Sequence, residues 1–113
     1  MTRFVDGPAV GKVLSLHRGP FFLRVVVNSN NEWDGLDQLD YVPQLDETLY
    51  AYEVHENHGT VHIHAAKGHG GFYPMLSYRI CAEQPDDATM RDYSKWVAWC
   101  EAQADKRGLK VQR

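Results

Sequence analysis

The stretch FFLRVVVN, residues 21–28, constrains the fold more than any other part of the chain. It is apolar almost throughout and rich in β-branched residues, which favour a pleated, extended backbone. A strand with one wet face alternates apolar and polar residues, so a run with so little alternation needs cover on both sides. The chain must therefore build a sheet around this segment and supply a layer for each face. Gly19-Pro20 marks a turn before it, which makes AVGKVLSLH, about 9–17, the preceding strand.

Later segments fit the same scheme. TLYAYEVH, TVHIHAAK and FYPMLSYRICA predict strands over about 47–55, 60–67 and 72–82. Trp33, Leu36 and Leu39, interleaved with Asp34, Asp37 and Asp40, predict a short helical turn over about 33–39. The C-terminal part changes period. Met90, Tyr93, Val97, Cys100 and Ala104 recur at steps of three and four, an apolar helical stripe over about 87–107 that Trp96 and Trp99 widen. Asp86, Asp87 or Thr89 can cap its start, and Gly108 suits the position just past its end. The expected fold is α+β: a meander of about five antiparallel strands with one C-terminal α-helix packed on one sheet face.

With 113 residues, 43% of them hydrophobic and including three Trp, six Tyr and four Phe, the chain can bury one core. It reads as a single α+β domain over 1–113, with no repeat or low-complexity tract. A formal net charge of −3, from twelve Lys plus Arg against fifteen Asp plus Glu, argues against nucleic acid as a partner. A single-stranded nucleic-acid surface built from Tyr73, His62, His64 and Arg79 is disfavoured for the same reason. The apolar runs fall far short of the ~20 residues that span a bilayer. The N-terminus carries no apolar signal region, so the expected location is the cytoplasm and no membrane is engaged. Cys81 and Cys100 read as buried, unpaired thiols.

Five of the six histidines fall between Val54 and Gly71: His55, His58, His62, His64 and His69. Treating ENHG as a four-residue hairpin loop pairs Val54 with Val61, Glu53 with His62 and Tyr52 with Ile63. Tyr50, Tyr52, Val54, Val61 and Ile63 then share a core face beneath the helix, joined by Leu76, Tyr78 and Ile80. Glu53, His55, His62, His64, Tyr73, Ser77 and Arg79 share the opposite face. On that face His62 and His64 stand about 7 Å apart at Cα, and such an H-x-H pair can chelate a divalent ion such as zinc, with His55 or Glu53 as third ligand. The row Ser77–His62–Glu53 has the order nucleophile, base, orienter, but a flat sheet offers it neither a nucleophile elbow nor an oxyanion donor. KGHGG at 67–71 reads as a hairpin connection rather than an anion loop, for it lacks the spacing and following helix of a Walker A motif.

Between Glu32 and Glu47 stand six carboxylates and no Lys or Arg. A calcium-loop reading of NNEWDGLDQLD fails because the twelfth position is Tyr41 and not a bidentate Glu. Asp34, Asp37 and Asp40 fit the polar side of the short amphipathic turn better, and the residual use of that side is an acidic docking patch for a basic partner.

LDQLD, DETLYAYEVHE and WVAWCEAQ resemble segments of small uncharacterised proteins of actinobacteria and their phages. The resemblance spans most of the chain, implies a small accessory role, and carries no residue assignments. The sequence therefore points to a non-enzymatic protein-interaction module that needs no cofactor. Its partner would be another protein or a second copy in a homodimer, met through the His-rich face and the acidic segment. The alternative is a metal-binding protein or metal-dependent enzyme that uses His62, His64, His55 and Glu53.

Overall fold

The computed structural model describes residues 2–14, 20–36, 39–55, 61–62, 77–109 and 111–112. Strands β1 (Thr2–Phe4), β2 (Val13–Leu14), β3 (Phe22–Val27), β4 (Trp33–Leu36), β5 (Thr48–Val54) and β7 (Ser77–Ile80) form one sheet in the order β2-β1-β7-β5-β3-β4. A separate parallel pair joins β6 (Val61–His62) to β8 (Val111–Gln112). Helices α1 (Asp87–Arg91) and α2 (Tyr93–Lys106) follow β7. The fold is α+β, but neither a meander nor all antiparallel, because β1 lies parallel to β7 with Phe4 opposite Tyr78.

β3 is buried from Phe22 to Val26, on both faces, as its composition requires. On one face Phe22 meets Trp99 edge-on at 5.6 Å, and Arg24 stacks over Trp96, so α2 covers the even-numbered residues. The other face is closed by curling of the sheet. Phe4 of β1 reaches Trp33 of β4, with ring centroids 5.3 Å apart, and also packs on Tyr52 and Tyr78. The turn after β1 seals this side: the Tyr52 hydroxyl accepts from Ala9 N (2.8 Å) and donates to Asp6 O (3.0 Å). The apolar face of β5, with Tyr50, Tyr52 and Val54, therefore lies away from the helices, and α2 rests on the face that carries Glu53. Alternation separates two faces but does not say which of them a helix will choose.

Three further elements differ from expectation. Residues 7–11 are a turn, with Gly7 and Gly11 at positive φ, so the expected strand over 9–17 is reduced in the described residues to β2, and β1 precedes it. Residues 33–36 are a strand rather than a helical turn. Asn28 Oδ1 accepts from Asn30 N and Glu32 N, and Asn31 takes φ +61°, so a tight turn sends Trp33 back opposite Val27. Local Asx chemistry thus overrides the i, i+3 spacing of Trp33 and Leu36. The C-terminal helix is broken at Asp92, which is extended (φ −108°, ψ 117°). Its carboxylate caps Lys95 N, and Asp40 accepts from Tyr93 N, so two acids satisfy the first turn of α2. Asp86 caps α1 through Thr89 N, and Gly108, at φ +67°, closes α2 with Leu109 N on Ala104 O.

The hairpin register expected for the histidine segment is not adopted. β3 occupies one edge of β5 and β7 the other, with Tyr52 opposite Ile80, Glu53 opposite Arg79 and Val54 opposite Tyr78. Val61–His62 pairs with Val111–Gln112 instead. Tyr78 and Ile80 match the alternation of β5 as well as Val61 and Ile63 would, so patterning alone does not choose between them. Among the described residues no helix is long and apolar enough to cross a membrane.

Candidate functional site

Two clusters combine chemical groups with access to solvent. The first is the acidic segment 39–47. The buried Arg24 guanidinium donates to Met90 O at the end of α1 (3.0 Å) and to Leu39 O (2.6 Å), and lies 5.6 Å from the Tyr93 ring. Tyr41 N donates to Arg91 O, the Tyr41 hydroxyl donates to Glu47 Oε1 (2.7 Å), and Gln44 N donates to the same oxygen (2.8 Å). That bond, with burial and the charges of Glu47, Asp34 and Asp46, raises the Tyr41 pKa and keeps the phenol protonated. The segment is thus fastened to β3, α1 and α2 at residues 39–41, and its remainder is tied back on itself through Glu47. It nevertheless holds apolar side chains outward: Leu39 and Val42 are 52% and 74% exposed, and Leu45 is fully exposed. Asp34, Asp40 and Asp46 are exposed and Glu47 is half-buried in the same region, while the exposed Asp87 is paired with Arg91 at 2.8 Å beside the hollow that Leu45 lines. Two shallow hollows of about 460 and 240 Å³ flank the segment, and Glu47 lines both.

The second cluster centres on Glu53, only 5% exposed although charged. Arg107 grips it end-on, Nη1 to Oε1 at 3.0 Å and Nη2 to Oε2 at 2.7 Å. Arg79, opposite it on β7, adds Nη2 at 3.1 Å and Nε at 3.3 Å to Oε2. Burial pushes this carboxyl up, but hydrogen bonds and charge from Arg107 and then Arg79 outweigh it and hold the pKa below its ordinary value. Cys81 also bonds Glu53, and burial, reinforced by that negative charge, pushes its thiol far up. Cys81 and Cys100 are both free and buried, and neither has a nucleophile's environment. An open cleft of about 500 Å³ lies over the knot, between β7 and the end of α2.

Of the sequence-derived candidates, Glu53 and Arg79 do share a face, and they bond one another there beside α2. Both Glu53 oxygens accept from guanidinium groups, Oε1 from Arg107 and Oε2 from Arg107 and Arg79. His55 is exposed at the end of β5, and its N–H donates to Ser77 O (2.6 Å). Ser77 itself lies opposite Arg3, and His62 opposite Gln112, so the row Ser77–His62–Glu53 does not form. The side chains of His62, His64, Tyr73 and Asp37 lie outside the described residues. Asp34 is exposed on β4, and Asp40 caps α2. Among the described residues no group of three or more His, Cys, Asp or Glu is placed to hold a metal ion.

Arg24 and Arg107 were missed from sequence. Arg24 had a signal: a charge inside an apolar run covered on both sides must be paired inside the protein. Arg107 had none, because its partner is 54 residues away in the chain. Comparison of the chain with family models, curated proteins and solved structures finds no match.

Proposed function

We propose that the protein is a non-enzymatic interaction module that docks a basic, amphipathic segment of a partner protein on residues 39–47. The observation that carries this reading is the exposure of Val42 and Leu45 on a hydrogen-bonded loop that also carries the exposed carboxylates of Asp40 and Asp46. Apolar side chains left in water on a pinned segment incur little ordering cost when a partner covers them. Each contributes about 1.5–3 kcal/mol if fully buried. Asp34, Asp40, Asp46 and Glu47 favour Lys and Arg on the partner, speed encounter and make binding weaken with salt. After translational and ordering costs, affinities on the order of micromolar are expected.

The test is amide NMR titration with a short synthetic helical peptide carrying Leu on one face and Lys on the other. Shifts confined to 39–47 and the two flanking hollows, weakened by salt and abolished in Val42→Asp/Leu45→Asp, are expected. A peptide that fails to bind, or binds that variant as well as wild type, overturns the reading.

A further inference from the structure

We infer that the cleft above Glu53 is a binding site for a small organic monoanion, a carboxylate on an apolar or aromatic body. This surface is distinct from the 39–47 segment, and the inference does not depend on it. The cleft is lined by Arg79, Lys106 and Arg107 against Glu53 and Glu83, which leaves one positive charge in excess. The two carboxylates take part of this cationic capacity. Lys106 Nζ reaches Glu83 at 3.3 Å, and Glu53 uses two N–H groups on each arginine. A guanidinium carries five N–H donors in one plane, so three on each arginine remain beyond the bonds to Glu53.

Glu53 holds both guanidinium groups from below, which presets their orientation. Their side chains are still 42% and 33% exposed, so they can meet a ligand from the cleft side. Paired N–H groups in a plane match a carboxylate, and preset donors bind it without first losing side-chain freedom. The other walls are apolar at Phe22, Trp99, Ile80, Cys81 and Ala82, and Gln103, which bonds Glu83, is the one further polar side chain among the described lining residues. Trp99 is itself fixed, stacked on Trp96 at 5.3 Å and met edge-on by Phe22, so it offers a rigid aromatic surface. The cleft is open and about 500 Å³, room for a ring and a short acidic arm. The negative end of α2 does not oppose the anion, because Arg107 N, Gly108 N and Leu109 N already bond its terminal carbonyls. A single excess charge favours a monoanion over a di- or trianion.

The experiment uses the full chain and three probes: phenylacetate, the uncharged phenylacetamide, and inorganic phosphate. Calorimetry and amide and arginine side-chain NMR would be recorded at low salt. Phenylacetate is expected to bind, to shift the Arg79, Arg107 and Trp99 resonances, and to exceed phenylacetamide at least tenfold. Arg79→Gln, which leaves Glu53 in the grip of Arg107, should weaken phenylacetate at least fivefold. Trp99→Leu should weaken it while leaving any phosphate binding unchanged. If a variant fails to fold, the wild-type shift map decides alone. Equal binding of acid and amide, phosphate binding as strong as phenylacetate, or shifts located elsewhere would each overturn the inference.

Discussion

Glu53→Gln tests the central packing element most directly. The substitution keeps size and one acceptor oxygen, but it removes the charge that two guanidinium groups share and turns an amide N–H₂ toward one of them. Hydrogen bonds to charged groups contribute about 1.5–3 kcal/mol each, and removing one partner of a fully buried pair costs about 3–5 kcal/mol. Here both arginines are a third or more exposed and recover part of their hydration, which lowers the expected loss to about 2–3 kcal/mol. For a chain of this size that is a fall in Tm of about 10 °C. Urea unfolding followed by the emission of Trp96 and Trp99, which stack beside this region, measures it. A double-mutant cycle should give a larger coupling for Glu53 with Arg107 than with Arg79, since the Arg107 contacts are shorter and less exposed. The pH dependence has a definite sign. The folded pKa is lowered, so the stabilisation is complete above the ordinary carboxylate range and is lost as pH falls through the folded value. The gap between wild type and Glu53→Gln should therefore narrow progressively below about pH 5. A variant within about 0.5 kcal/mol of wild type, the usual spread for inconsequential surface changes, refutes the reasoning.

Gly7→Ala should be far costlier than Gly11→Ala. Both glycines have positive φ, but a Cβ at Gly7 would stand 2.6 Å from the Tyr52 hydroxyl, whereas at Gly11 it meets open space. Losses of more than about 3 and of about 1 kcal/mol in chemical denaturation are expected, and equal losses would contradict the description of the turn. Tyr52→Phe leaves Ala9 N–H without its acceptor and should cost about 1–3 kcal/mol by the same measurement. Asp92→Ala removes the cap of α2 and should cost about 1 kcal/mol, with reduced amide-exchange protection at Lys95. Val42→Asp/Leu45→Asp should unfold within about 0.5 kcal/mol of wild type, which separates loss of peptide binding from loss of fold.

The candidate sites were legible only in pieces. The acidic character of 32–47 and the shared face of Glu53 and Arg79 follow from composition and alternation. Nothing local shows that Val42 and Leu45 are exposed, because that depends on bonds of Arg24, Asp40 and Tyr41 that fasten the loop to three other elements, with Glu47 tying it back on itself. The strand pairing expected for the histidine segment is not adopted. Its geometry assumed that strands adjacent in sequence are adjacent in space, and β7 takes the place beside β5.

What the chain determined by itself is what depends on near neighbours. The α+β class, the doubly covered run at 22–27 and the apolar stripe of the C-terminal helical segment, with Asp86 at its start and Gly108 past its end, are written in spacing and side-chain type, whereas the break at Asp92 is not. Tertiary structure decided what depends on competition between distant segments: which strand borders β5, which sheet face receives α2, and where the buried charges find partners. Backbone hydrogen bonds are alike along every strand, so pairing is selected by the packing that the whole set of contacts allows. A buried carboxylate such as Glu53 persists only because two arginines, 26 and 54 residues further along, arrive on the same side of the sheet.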